Sequence, residues 1–115
     1  MIRGREFLEI VDALEDLDTE AAMRTQIGRL YYATFLEVRT WCELHLGYSR
    51  IRLAREHQAL ADAVASVEPS LESDMRYLRR ARNAADYDEF LSVQDVRELK
   101  RRAQALTQEI LQRLT

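Results

Sequence analysis

Glycine and proline are scarce in this chain, and that scarcity limits the folds it can adopt. The 115 residues contain three glycines and one proline, which is little material for the tight turns that join β-strands. An all-β sandwich or barrel is therefore disfavoured. The length suits one domain with a modest core, so we predict a single all-α domain over residues 1–115.

Apolar residues recur at helical spacing along most of the chain. The pattern predicts a compact bundle of four to five antiparallel, up-and-down helices. The predicted segments are residues 4–17, 20–46, 53–67, 70–87 and 93–113. Gly47 is expected to stop the second helix, Pro69 to end the third, and Ser70 to cap the fourth. At roughly 40 Å, the second helix is expected to span the bundle and project toward a partner, which favours a homodimer.

Several classes of site are disfavoured by composition. Cys42 is the single cysteine, so no intrachain disulfide is predicted. Two histidines without a cysteine or carboxylate cluster at ligand spacing predict no metal site, and without a glycine-rich phosphate loop we expect no cofactor. No apolar run approaches the ~18 residues of a membrane span, and the acidic N-terminal segment does not resemble a signal peptide. We therefore expect a cytoplasmic protein without membrane contact.

The basic residues are almost all arginine. Net charge is −3, which does not by itself indicate nucleic-acid binding. Lys100 is the one lysine among 17 basic residues, and arginine suits bidentate contacts to phosphate. Codon bias in a GC-rich genome is the favoured explanation for the excess as a whole. Residues 47–52 form a basic connection between two predicted helices.

The fourth helix carries a charge within its apolar stripe. The stripe comprises Leu71, Met75, Leu78 and Ala85. Arg82 is predicted to lie near its centre, where an unpaired charge is costly. We therefore expect Arg82 to be paired or to face a cleft or a subunit interface, with Asp86 as a candidate partner on the same helix.

A basic surface is predicted beside Arg82. Its members are Arg76, Arg79, Arg80, Asn83 and Tyr87. Guanidinium groups beside polar side chains are compatible with phosphate binding. The alternative is a buried Arg82–Asp86 pair that only sets helix register, with the other arginines solvated.

Aromatic residues cluster on the second helix. Tyr32 and Phe35 are predicted to share a face, with Tyr31 pointing elsewhere. The cluster is compatible with a core that includes a dimer contact, or with base stacking. His57, on the apolar side of the third helix, is either a hydrogen-bonded core residue or part of a site.

Three segments together resemble small prokaryotic HEPN-domain proteins. Arg29-Leu30-Tyr31-Tyr32-Ala33-Thr34-Phe35 resembles their R-x-Y-Y-A-x-F signature, and Arg82-Asn83-Ala84-Ala85-Asp86-Tyr87 resembles an R-N-x-x-D-Y variant of the family motif. Between them, Glu56-His57-Gln58-Ala59-Leu60 resembles a frequent start of the third helix. The resemblance covers about residues 5–113.

The resemblance implies a helical homodimer with its arginine-rich helix at a cleft formed with the dimer mate. Many members are metal-independent endoribonucleases, and others are noncatalytic partners of a small nucleotidyltransferase in toxin–antitoxin pairs. It therefore implies a protein that cleaves or binds RNA or nucleotide phosphates, in a toxin–antitoxin or defence system. A structural helical dimer is the remaining alternative.

The catalytic motif of the family is matched only in part. Arg82 and Asn83 match its arginine and polar positions, whereas Tyr87 stands where a histidine is usual. By resemblance, Arg82 would stabilise the phosphorane, Asn83 would orient the phosphate, and Asp86 or Tyr87 would transfer protons. Tyrosine, with a pKa near ~10, is a poor base at neutral pH. Arg29, Tyr32 and His57 would support the site, and Arg76, Arg79 and Arg80 would bind phosphate.

Overall fold

The computed structural model describes residues 2–114, and within that range the chain is all-α, as predicted. Five α-helices pack as a bundle: α1 (Leu8–Ala13), α2 (Glu20–His45), α3 (Glu56–Ala65), α4 (Pro69–Tyr87) and α5 (Val93–Arg113). Short 3-10 turns at Gly4–Phe7 and Glu15–Leu17 flank α1. The single helix predicted over 4–17 is therefore divided, and the third helix begins at Glu56, later than predicted.

Local sequence explains where most helices begin and end. The Thr19 hydroxyl accepts a hydrogen bond from the Ala22 backbone N–H (3.1 Å), and the Ser92 hydroxyl accepts one from Asp95 (3.1 Å). Gly47 follows the end of α2 with a φ of +64°, in the left-handed region that glycine favours.

The predicted boundary around Pro69 is wrong. Pro69 is the first residue of α4, and Glu68 occupies the N-cap position predicted for Ser70. A proline is favoured in the first helical turn because its missing N–H would have no partner there. The Ser70 hydroxyl instead donates a hydrogen bond to a Glu68 carboxylate oxygen (3.2 Å).

The long helix α2 is the centre of the bundle and packs against every other helix. Its 26 residues span about 39 Å, and the described chain measures 41 × 26 × 24 Å. It therefore runs the length of residues 2–114, and its projection toward a partner stays a prediction. Among those residues, no helix combines the length and apolar character needed to cross a membrane.

The C-terminal end of α4 is fixed against α2. Arg24 on α2 donates hydrogen bonds from Nη1 to the backbone carbonyls of Ala84 (3.3 Å) and Ala85 (2.8 Å). These carbonyls belong to the last turn of α4, where a cation is favourable. The contact holds the turn that carries Arg82 and Asp86 in one position relative to α2.

Candidate functional site

Arg82 lies within the buried stripe of α4 but reaches solvent at a cleft. The buried residues of α4 are Leu71, Met75, Leu78, Ala81 and Ala85. At about 100° per residue, Arg82 falls between Leu71 and Met75 around the helix, as the sequence predicts. The Arg82 side chain is nevertheless 34% exposed. Its guanidinium is therefore not enclosed by the core, and it lines a cleft.

The cleft is a cavity of about 330 Å³ that we call the Arg82 pocket. It lies between α2, the connection 46–55, the start of α3 and α4. Three guanidinium groups line it, from Arg29, Arg52 and Arg82. The aromatic part of its wall includes Tyr31, Tyr32 and His57.

Arg82 is paired but not enclosed. Its Nε lies 3.3 Å from Oδ2 of Asp86, the partner predicted from the sequence, and its Nη1 donates to the Asn83 side-chain oxygen (2.9 Å). Asp86 is 39% exposed. Within the single chain the ion pair is therefore not sealed, because both side chains reach solvent.

The pocket carries more positive charge than its acids neutralise. Neither Arg29 nor Arg52 forms an ion pair with any carboxylate in the described part of the chain. The Arg29 guanidinium lies over the rings of Phe7 (5.7 Å) and Tyr32 (5.2 Å). Glu56, the acid in the pocket wall, is buried and already pairs with Arg39.

The prediction that Tyr32 and Phe35 share a face of α2 is wrong, because Phe35 packs with Tyr31 instead. Tyr31 and Phe35 pack together with ring centroids 6.1 Å apart, whereas Tyr32 packs edge-on against Phe7 at 5.0 Å. Residues four apart on a helix lie closer in angle than residues three apart. His57 packs against both buried rings, at 5.6 Å from Tyr31 and 4.7 Å from Phe35.

Tyr31 and His57 form a neutral hydrogen-bonded pair beside Arg82. The Tyr31 hydroxyl and Nδ1 of His57 share a hydrogen bond. Burial raises the pKa of Tyr31 to about 12. Burial, together with the positive charges of Arg79 and Arg82, lowers the pKa of His57 below its ordinary value. The phenol is therefore protonated and the imidazole uncharged at neutral pH.

A second, shallower cavity of about 210 Å³ lies nearer the N-terminal end of α4 and is lined by Arg76, Arg79, Arg80 and Asn83. A small depression between the two cavities shares Tyr31 and His57 with the Arg82 pocket and Arg79 with the second cavity. The sequence placed these four polar residues on one surface, as observed. We call the two cavities and the depression between them the basic groove.

The arginines of the second cavity differ in availability. Arg76 is held by Glu72 (2.9 Å), Asp62 (3.2 Å) and the side-chain oxygen of Gln58 (2.8 Å). Among residues 2–114, Arg79 and Arg80 have no ion-pair partner. These two are therefore freer to bind an anion than Arg76.

Tyr87 lies apart from the other predicted catalytic residues. It is 77% exposed near the end of α4 and lines neither cavity. Sequence reasoning assigned no site role to Arg52 or Tyr31, although both line the Arg82 pocket. The signal for Arg52 was its position in the basic connection 47–52, and the signal for Tyr31 was its spacing from Phe35.

The described residues contain no group of three His, Cys, Asp or Glu side chains placed to hold a metal ion. Cys42 is buried, and burial raises the pKa of its thiol to about 11, so it is a poor nucleophile. In comparisons with known proteins, no family model, curated protein or solved structure matches this chain.

Proposed function

We propose that this protein binds single-stranded RNA through its phosphates along the basic groove, with Arg82 as the central ligand. The observation that carries the proposal is that the groove brings together four arginines without an ion-pair partner. Arg29, Arg52, Arg79 and Arg80 line the groove, and no carboxylate of the described chain pairs with them. Guanidinium groups without a carboxylate partner are available for charge-assisted hydrogen bonds to phosphate.

The shape of the groove favours an oligonucleotide over a mononucleotide. Two cavities of about 330 and 210 Å³, with a depression between them, offer cations to more than one phosphate. The Tyr32 ring at the wall of the larger cavity is 37% exposed and gives a base a surface for stacking. Unstacked bases are available in single strands and not in duplexes.

The test is the affinity for a labelled single-stranded RNA of about ten nucleotides, measured by fluorescence anisotropy at low salt. We expect Arg82→Met to weaken binding by ~10-fold or more, since a hydrogen bond to a charged group contributes about 1.5–3 kcal/mol. The control is Arg101→Met, which removes the same charge from a 74% exposed side chain on α5. Equal losses in the two variants, or no binding by the wild type at micromolar protein, would contradict the proposal.

A second candidate function, metal-independent RNA cleavage, is favoured by the Tyr31–His57 pair beside Arg82. In this step His57 takes the proton of the ribose 2′-hydroxyl, and the 2′-oxygen attacks phosphorus. The bond from phosphorus to the 5′-oxygen breaks, the leaving oxygen takes a proton from water, and a 2′,3′-cyclic phosphate forms. Arg82 stabilises the negative charge of the phosphorane.

This candidate assigns proton transfer to His57, not to Tyr87 or Asp86. Cleavage in EDTA with cyclic phosphate ends is the expected result. His57→Gln should abolish cleavage, and Tyr87→Phe should retain it because Tyr87 lines neither cavity. Binding without cleavage across a broad RNA panel would reject this candidate and favour a noncatalytic protein.

The resemblance to HEPN-domain proteins adds three further proposals: a homodimer, a nucleotidyltransferase partner, and a cytoplasmic toxin–antitoxin or defence role. Support for a covered surface comes from Tyr87 and Phe90, which are 77% and 90% exposed around the end of α4. Mass measurement of the full chain by light scattering tests the dimer. If neither RNA nor a partner binds, the structural helical dimer is the remaining explanation.

A further inference from the structure

Glu56 is a buried carboxylate that the proposed function does not use directly. The residue is 6% exposed. Its Oε1 accepts a hydrogen bond from Nη1 of Arg39 (3.0 Å), and its Oε2 accepts from the Tyr48 hydroxyl (3.0 Å) and the Ile51 backbone N–H (2.7 Å). Burial alone would raise the pKa of Glu56, but these hydrogen bonds outweigh it and lower the pKa below its usual value. The group is therefore a stable anion at neutral pH.

The three donors join Glu56 to two other parts of the chain. Arg39 belongs to α2, whereas Tyr48 and Ile51 belong to the connection 46–55, which has no helix of its own. A carboxylate needed only to neutralise Arg39 would not have to bind the backbone of the connection. Its hydrogen bond to Ile51 fixes the main chain at the residue immediately before Arg52.

The connection is also a wall of the Arg82 pocket. Residues 51–54 line the cavity together with Arg29 and Arg82. Arg52 is exposed, and no carboxylate within residues 2–114 forms an ion pair with it. Its neighbour on the connection, Arg50, is instead bound by Glu43 (2.8 Å). Of these two arginines, Arg52 is the one that lines the pocket.

We propose that Arg52 is a phosphate-binding residue of the Arg82 pocket, and that Glu56 is the positioning residue that holds it there by anchoring the connection. This inference rests on the proposed RNA binding. The position of Arg52 depends on a buried anion whose carboxylate oxygens are bound by three donors of the protein. Without that anchor the connection is free to move, and Arg52 no longer meets a phosphate in a defined place.

A double-mutant cycle on RNA affinity tests the coupling. The ligand is the single-stranded RNA of about ten nucleotides. We expect Arg52→Ala to weaken binding by ~5-fold when it is introduced into the wild type, and by less than ~2-fold when it is introduced into the Glu56→Gln variant. The control is Arg80→Ala on α4, which should cost the same factor in both backgrounds. Glu56→Gln also changes the net charge, but that change is common to both arms of the cycle and cancels.

The outcomes separate this inference from the proposed function. If the wild type does not bind RNA, both fail. If it binds RNA but Arg52→Ala costs nothing, or costs the same factor in the wild type and in the Glu56→Gln variant, only the positioning inference fails. If Glu56→Gln does not fold, Tyr48→Phe replaces it, because it removes one donor and keeps the ring. The effect of Arg52→Ala should then be reduced in the Tyr48→Phe background, and an unreduced effect would overturn the inference.

Discussion

His57 connects the site to pH because its imidazole is enclosed by an aromatic wall and by arginines. Tyr31 and Phe35 pack against it, while Arg79 and Arg82 add positive charge nearby. Both burial and like charge disfavour the protonated imidazole in the folded protein. In the unfolded chain neither effect operates, so the unfolded chain binds the proton more readily.

This difference predicts that acid destabilises the protein through His57. Folding lowers the pKa of His57 from its ordinary value of 6.5. His57 should therefore cost no stability above about pH 6.5, and the free energy of unfolding should fall as the pH drops from there toward the folded pKa. In His57→Gln this part of the acid sensitivity should be missing. Urea unfolding at pH 7 and pH 5 measures it, with His45→Gln as the matched control. Equal loss of stability in wild type and His57→Gln would contradict the account.

Some side-chain contacts could be predicted from sequence patterns, and others could not. The Arg82–Asp86 pair could be predicted because both residues belong to one helix with fixed spacing. The partial exposure of Arg82 could not be predicted, because Leu78 and Ala85 fit a line through either Ala81 or Arg82, and Ala81 is the buried one. The directions of Tyr31 and Tyr32 could not be predicted either. Their rings pack against His57 and Phe7, which belong to other elements of the fold.

At the level of helices, the N-terminal 3-10 turn approaches α2 closely. A Cβ added to Gly4 would lie 2.5 Å from the Ala33 carbonyl oxygen and 2.9 Å from Cγ of Glu37. A Cβ added to Gly28, within α2, would have its nearest neighbour at 3.9 Å, an ordinary contact. The two glycines therefore have different reasons to be present.

A matched pair of substitutions tests this packing. Gly4→Ala should lower the free energy of unfolding by about 1–3 kcal/mol, because the turn must move away from α2. Gly28→Ala should raise it by about 0.5–1 kcal/mol, because alanine favours a helix interior. Urea denaturation measures both. A Gly4→Ala variant as stable as the wild type, or more stable, would show that the turn does not pack as described.

The helices themselves were largely predictable, and the connections between them were not. Long apolar periodicity identified α2, α4 and α5. The first segment was predicted as one helix, but it follows the surface of α2 and divides into turns around α1. The role of the connection 46–55 depends on a buried carboxylate bound to three partners, which no local pattern reveals.

Across the whole molecule, net charge conceals how charge is arranged. The acids near the N-terminus pair with α5, as in Glu15 with Lys100 (3.0 Å) and Asp18 with Arg97 (2.8 Å). Four arginines without an ion-pair partner line the groove formed by α2, the connection, α3 and α4. A chain of net charge −3 can therefore present a cationic groove.

The salt dependence of RNA affinity tests the phosphate contact of Arg82 most directly. For single strands, the slope of log affinity against log salt is about −0.7 per phosphate contact, so a groove of several arginines should give about −3. We predict that Arg82→Met makes this slope shallower by about 0.7 and that Arg101→Met leaves it unchanged. An Arg82→Met slope equal to that of the wild type would show that Arg82 does not contact phosphate.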